Sequence, residues 1–382
     1  MLSKLRVASF VLLVTVCGVF LVITDWSNSL ISNHKSLVSF IRNNIITTQY
    51  KNRIFTSTNE NNVTFFFKTK DLVRDYKVDL NDEDVFVFLH IQKTGGTHFK
   101  RQLMSSLSSV PPCRCQSGAL CECWAEGNRT WFFGWFTRGQ KCGLHADWTE
   151  LTACVDPWFV EHEPNRTQRN YHYLTFLRNP VSRFLSEWLH VRRGAYWPKR
   201  YKCNQRYATR EELHLCADGG PWRNVSFDDF ISCKYNLGFN RMTRMLANLS
   251  LVNCYNRTGL SDRYIRETLL KSAKENLLAM DYFGLTEQQE ASQFLFETTF
   301  SLSIDRKLRS SPVTRATNVT VTPEMRDTVV AKNLLDVELY SFAAELFRQR
   351  VRLKEKELGV TTQQYFKKMV NRLTVLPRFK TL

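Results

Sequence analysis

Three features of the sequence predict an α/β fold, with a mostly parallel central sheet flanked by helices and a single transmembrane helix ahead of it. Two apolar runs, each closing in a polar turn that opens into helix-forming residues, mark strand–loop–helix units over residues 85–97 and 171–186. Strand and helix patterns alternate through the region that holds them, as they do when helices cover both faces of a parallel sheet. Near the N-terminus lies an unbroken uncharged segment of 18 residues, long enough to cross a bilayer.

Taken in order, residues 1–6 form a short cytoplasmic tail carrying Lys4 and Arg6, and residues 7–24 are the apolar segment, followed by Asp25. No small-residue cleavage pattern follows it cleanly, so a signal-anchor is the expectation rather than a removed signal peptide. The positive-inside rule keeps the basic tail in the cytosol and sends the remainder across, a type II orientation. Residues 25–80 are rich in Asn, Ser, Thr and Lys with short apolar patches, and read as a luminal stem. Residues 81–350 form the main domain, ample for one core, and residues 351–382 a basic C-terminal tail without assigned chemistry.

The side assignment has two supports. Seven Asn-x-Ser/Thr sequons occur, at Asn62, Asn128, Asn165, Asn224, Asn248, Asn256 and Asn318. Apart from Cys17 in the anchor, ten cysteines remain, an even number suited to disulfides in an oxidising lumen. In the cluster Cys113-x-Cys115-x5-Cys121-x-Cys123 the spacing is tighter than zinc knuckles prefer, so disulfides are expected there and no metal site is assigned. The net charge of +17 favours an acidic partner. Luminal topology argues against nucleic acid and leaves sulfated or uronate-bearing glycans, although scattered Lys and Arg also serve solubility alone.

The chemistry centres on Val85-Phe-Val-Phe-Leu-His-Ile-Gln-Lys-Thr-Gly-Gly-Thr97. Gly95 and Gly96 let backbone N–H groups converge on an anion, and the helix behind them adds unpaired donors and a positive dipole end. Lys93 precedes the glycines, unlike the lysine of a nucleotide-triphosphate P-loop, which follows them. The second unit, Tyr171-His-Tyr-Leu-Thr-Phe-Leu-Arg178, leads into a helix carrying Ser186. Lys93, Arg178 and Ser186 together suit a ligand with separate phosphate groups. Ser186 and His190 stand four apart on one face of a helix that Gly194 ends. Later segments are helical: Ser261 caps a stripe of Ile265, Leu269 and Leu277, and Leu335, Leu339, Phe342 and Leu346 make another, both core-facing.

These motifs resemble the sulfotransferases that use 3′-phosphoadenosine 5′-phosphosulfate (PAPS), and more narrowly the heparan sulfate 6-O-sulfotransferase family. The resemblance extends through Cys142-Gly-Leu-His-Ala-Asp-Trp-Thr-Glu-Leu151, Val181-Ser-Arg-Phe-Leu-Ser-Glu-Trp188, Arg193-Gly-Ala-Tyr-Trp197, Tyr282-Phe-Gly-Leu-Thr-Glu287 and Thr314-Arg-Ala316, and covers roughly residues 84–350. It implies a sulfotransferase fold with a P-loop-like phosphosulfate loop, and Golgi residence. In that family His145 would be the proton acceptor and Lys93 would support the leaving phosphate. His90, Ile91, Gln92, Lys93, Thr94, Gly95, Gly96, Thr97 and His98 would cradle the 5′-phosphosulfate. Arg178 and Ser186 would hold the 3′-phosphate, Arg315 and Ala316 would add cofactor contacts, and His190 and Trp197 would touch the glycan. No metal ion is implied.

Two departures bear on the acceptor. Ala119-Leu120 stands where the family commonly has a basic pair, and Trp135 and Gln140 stand where it has an Arg and then a Trp. His98 replaces a usual Thr. The implied activity is sulfuryl transfer from PAPS to the 6-hydroxyl of glucosamine in heparan sulfate. Its rivals are a 2-O or 3-O glycan sulfotransferase and a non-catalytic heparan-binding membrane protein, against which the intact Lys93, His145, Arg178 and Ser186 argue.

Overall fold

The computed structural model describes residues 65–116, 120–143, 145–163, 168–196, 201–214, 216, 220–308 and 320–375, without the side chains of 369–375. The apolar segment at 7–24, the stem up to residue 64, Trp197, Arg315 and Ala316 lie outside them. Among the described residues no helix is long and apolar enough to cross a membrane.

Four parallel strands make the sheet: β1 (Asp84–Leu89), β2 (Phe132–Gly134), β3 (Asn170–Leu177) and β4 (Tyr282–Leu285), in the order β2-β1-β3-β4. All six residues of β1 are buried, as expected for a central parallel strand covered on both faces. Ring contacts identify the two covers. Phe86, Phe88, Phe176 and Tyr282 face Phe99 of α1 (Gly96–Ser106) and the rings of Phe296 and Phe300 from helix Gln289–Phe300. On the other face Phe133 meets Trp158 and Phe159 of α2 (Trp148–His162), Tyr173 meets Trp148, and Phe283 meets Phe347 of the long helix Leu334–Leu358.

The order β2-β1-β3-β4 reverses direction between β1 and β3. Such a switch point leaves a crevice beyond the carboxyl ends of the two strands, where ligands of open α/β sheets bind. Both strand–loop–helix units of the sequence end there. β1 runs through residues 90–95 into α1, and β3 runs through Arg178 and Asn179 into α3 (Pro180–Arg192). Asn179 caps α3 by accepting from the N–H groups of Val181 and Ser182, and Pro180 takes the first helical position, where no N–H is needed.

Behind α3 lies a buried ionic cluster. Glu187 accepts from Arg183 and from Arg241, whose Nε stands 3.0 Å from its Oε2. Asp336 accepts from the N–H of Thr243 at 2.8 Å and lies 3.8 Å from Arg183 Nε. Burial opposes ionisation of Glu187, yet Arg241 and Arg183 hold its carboxyl down at about 2. These ties lock α3 to helix Arg241–Leu246 and to the long C-terminal helix.

The helix expected after Ser261 and the one carrying Leu335 to Leu346 are present, as Asp262–Ala279 and Leu334–Leu358. Ser261 accepts from Tyr264 N–H, and Ile265, Leu269 and Leu277 are buried, while Leu335 is half-buried. The packed unit takes in residues on either side of the edges expected at 81 and 350. Phe65 and Phe67 pack edge-on against Phe342, and Arg350 donates to the Asp71 carbonyl at 2.8 Å. Residue 350 falls inside helix Leu334–Leu358, and the helix Thr362–Val375 beyond it buries Phe366 while Tyr365 donates to Glu297 at 2.8 Å. The supposed tail is thus folded to residue 375.

All ten cysteines expected to pair do so, as Cys113–Cys123, Cys115–Cys121, Cys142–Cys154, Cys203–Cys254 and Cys216–Cys233. The clustered four therefore pair among themselves.

Glu187→Ala would leave Arg183 and Arg241 buried without their shared carboxylate. A loss of about 3–5 kcal/mol is expected, read as a lowered urea midpoint at unchanged slope. Because the folded-state acidity of Glu187 is raised, its contribution is present at neutral pH and is lost as pH falls through about 2.

Candidate active site

The loop after β1 is shaped by close approach. Gly95 has φ +77°, and a Cβ there would meet the Thr286 side chain at 3.0 Å. At Gly96 a Cβ would come within 3.0 Å of the Phe88 ring and 3.2 Å of the His90 ring. Lys93 adopts φ +68°, a left-handed conformation that costs a non-glycine residue and persists only where surroundings impose it. Thr286, just past β4, supplies part of that imposition: its hydroxyl contacts the Thr94 carbonyl and lies 3.0 Å from the Leu177 carbonyl. Thr94 in turn donates to the Ile91 carbonyl at 3.0 Å.

Arg178 joins the two halves, its Nη1 donating to the Lys93 carbonyl at 3.2 Å. Burial first, then the neighbouring Arg193 and Arg178, pull the Lys93 ammonium down to about 8, with Glu187 opposing. A preformed concentration of positive charge at a helix N-terminus is what an anionic ligand requires. Ser186 is buried on α3, one residue before Glu187, and His190 lies half-buried one turn further on. His98 is exposed and its N–H donates to the Gly95 carbonyl at 3.0 Å. Ile91 is fully buried.

Beside the start of the same loop stands His145. Its Nδ1 lies 3.3 Å from the His90 carbonyl, so Nδ1–H donates and Nε2 carries the lone pair. Its ring stands 5.1 Å from that of His90 and 5.0 Å from Trp135, which stacks on His90 at 4.6 Å. Lys100, buried within α1, donates to the Trp135 carbonyl at 2.5 Å and lies 5.1 Å from the indole centroid. Burial drives His145 down to about 3; its bond to the His90 carbonyl and Glu187 oppose this, while Arg241 and Lys100 add to it. The imidazole is therefore neutral and able to accept a proton.

His145 opens into a cavity of about 550 Å³ lined also by Gln92, Gln140, Lys141, Lys202, Tyr201 and Tyr255. Asp147 caps α2 by accepting from Glu150 N–H at 3.1 Å, and burial raises its carboxyl to about 7. Sequence reasoning missed Arg193, Lys100 and Thr286. Arg193 had a signal, a basic residue at a helix C-terminus. Trp135 stood out only as a lost acceptor contact, whereas in the fold it buttresses His145.

The loop after β1 thus gathers the cations Lys93, Arg178 and Arg193 and is bonded to a neutral imidazole, an arrangement of the kind group transferases use. The model of the sulfotransferase family matches residues 76–343. Similar proteins include heparan-sulfate 6-O-sulfotransferase 3-B of Danio rerio, 45% identical over 299 residues (77% of this chain, 71% of the relative). Heparan-sulfate 6-O-sulfotransferase 2 of Danio rerio is 47% identical over 300 residues (77% and 64%). Heparan-sulfate 6-O-sulfotransferase 3 of Homo sapiens is 46% identical over 292 residues (75% and 62%). The chain thus spans between 62% and 71% of the length of these relatives. It belongs to the sulfotransferase family and, within it, groups with the heparan-sulfate 6-O-sulfotransferases.

In histidine-labelled protein, the ring carbons of His145 are expected to show no titration between about pH 8 and about pH 5. A midpoint near the ordinary imidazole value would contradict the burial argument.

Proposed function

We propose that the protein transfers a sulfuryl group from PAPS to the 6-hydroxyl of glucosamine residues in heparan sulfate. The observation that carries the proposal is that one loop, residues 90–95, is bonded both to Arg178, at the Lys93 carbonyl, and to the neutral His145, at the His90 carbonyl, in a chain of this family.

The residues present fit the donor. The close-packed turn at Gly95 and Gly96 leaves no room for side chains where backbone must approach an anion, and Lys93, Arg178 and Arg193 gather positive charge beside it. Lys93 with the backbone of residues 90–97 would hold the 5′-phosphosulfate, and Arg178 with Ser186 the 3′-phosphate. When bound, PAPS supplies the sulfuryl group, whose bond to the 5′-phosphate oxygen breaks as a bond to the acceptor oxygen forms. His145 takes the acceptor's hydroxyl proton at Nε2. An anion beside the ring raises its proton affinity, so a base held neutral when free becomes a better one in the complex. Lys93 offsets the charge that builds on the departing oxygen, and the His90 carbonyl keeps the imidazole in the working tautomer.

The acceptor would enter the cavity in front of His145, where Lys141 and Lys202 suit its acidic groups and Tyr201 its sugar faces. With Trp135 turned onto His90, glycan preference in this chain rests on other cations than in its relatives. His190 and Trp197 are proposed glycan contacts, and Arg315 and Ala316 further donor contacts. We also propose a single-pass type II Golgi location with residues 7–24 as anchor. Five disulfides support a luminal side, as do the exposed sequon residues Asn128, Asn224 and Asn256.

Full-length protein given PAPS and N-sulfated heparan is expected to form 6-O-sulfated glucosamine, read by disaccharide analysis. His145→Ala should lower kcat by about 10²- to 10⁴-fold. Sulfate at another position would discard the regiochemistry, and near-normal turnover by the variant would remove His145 as base. Arg178→Ala should raise the Kd for adenosine 3′,5′-bisphosphate by about tenfold or more; wild-type affinity would end its 3′-phosphate role.

A further inference from the structure

A second cavity, of about 840 Å³, adjoins the one that holds His145, and Tyr255 lines both. The reaction outlined above makes no use of it. Into it faces Arg244, on the helix Arg241–Leu246 and only 5% exposed. Its Nη2 donates to the Leu237 carbonyl at 2.9 Å, and its guanidinium lies 5.9 Å from the ring centroid of Tyr201. Nε and Nη1 are buried and, among the described residues, make no close hydrogen bond; the guanidinium interacts with the Tyr255 hydroxyl, itself buried and otherwise unpartnered, and feels the Asp147 carboxylate.

A buried guanidinium whose donors are only partly satisfied, with no carboxylate in direct ion pair, gains from an anion that arrives to take them. At the mouth stand the exposed cations Lys234, Arg257 and Arg266. Glu211, Glu212 and Asp262 also line the cavity, but Glu212 is already held by a two-pronged bond from Arg206, at 2.7 and 2.9 Å. No ion pair joins Arg244 to a carboxylate among the described residues. A lone inorganic anion would fill little of the volume, whereas a chain threaded past Tyr255 would reach both cavities at once.

We propose that this cavity is a second subsite for the acceptor, taking a sulfate or carboxylate on a sugar remote from the reacting one, with Arg244 and Tyr255 as its donors. The proposal rests on the reading of the acceptor as an acidic glycan. It makes affinity depend on chain length: a short oligosaccharide occupies the cavity of His145 alone, and a longer one gains the charge-assisted bonds of Arg244.

The test is direct binding of N-sulfated heparan tetrasaccharide and octasaccharide to the full-length chain, with Arg244→Gln and Arg257→Gln. The wild type is expected to prefer the octasaccharide. Arg244→Gln should lower that preference by about tenfold, and Arg257→Gln, at the exposed mouth, by about two- to threefold. If Arg244→Gln does not fold, the ratio for Arg257→Gln decides. No length preference in the wild type, or an undiminished one in the folded variants, overturns the subsite. Sulfation of the tetrasaccharide is measured separately. Its absence while the length preference responds to the variants would refute the proposed activity and leave the subsite standing.

Discussion

The parallel pairing of β1 with β3 is the constraint on which the crevice depends. Six residue pairs in register, from Asp84↔Asn170 to Leu89↔Thr175, bring two strand ends level, so that two loops and two helix N-termini address one volume. The bond from Arg178 to the Lys93 carbonyl is available only in that register. A slip of one residue would move Arg178 by about 3.3 Å and turn every β3 side chain to the opposite face. β4 adds the third support, because its pairing with β3 delivers Thr286 beneath the glycine turn. The geometry of the loop that carries Lys93 is thus a property of sheet order more than of any one side chain.

Electrostatics then divides the molecule. Lys93, Arg178 and Arg193 repel one another where they meet, and the buried Glu187 is the acid that tempers both Lys93 and His145. Glu187 is itself held ionised by Arg183 and Arg241, so the cluster that fastens α3 to the C-terminal helices also sets the potential at the crevice. Structure and chemistry share one carboxylate. At the other end of the strands His172 bridges Asp84 at 3.1 Å and Asp281 at 3.7 Å. Burial works against its charge, but the two carboxylates prevail and raise its proton affinity. Its contribution to stability is therefore full in acid and lost as pH rises through its folded-state pKa, while His145 behaves in the opposite sense.

The parts legible in the sequence were the local ones. Strand, turn and helix succeed one another within a dozen residues around Lys93 and again around Arg178, and a cap such as Ser261 announces itself by residue type. Glu187, by contrast, meets Arg241 from 54 positions away, and no pattern along the chain predicts that partner. Trp135 illustrates the same limit, since a lost guanidinium is visible in sequence but the stack it makes on His90 is not. The packing of Phe65, Phe67 and Phe366, on either side of the expected edges at 81 and 350, was not legible because their short aromatic pairs and runs sit in polar stretches, and only tertiary packing shows that they are buried or half-buried against the core.

The disulfides are unevenly distributed, and their placement separates the two halves of the crevice by chemistry as well as by shape. Cys142–Cys154 flanks the turn that presents His145, and Cys203–Cys254 ties the Lys202 hairpin to the segment of Tyr255. None of the five touches β1, β3, the glycine turn or α3, whose cohesion comes from strand pairing and buried charge. The sheet ends around the glycine turn are consequently held together without thiol oxidation, whereas the turn of His145 and the hairpin of Lys202 are fastened by it. Reduction would therefore loosen the lining of the cavity at His145 while leaving the β1–β3 pairing its own supports, so the two sides of the site differ in their dependence on an oxidant.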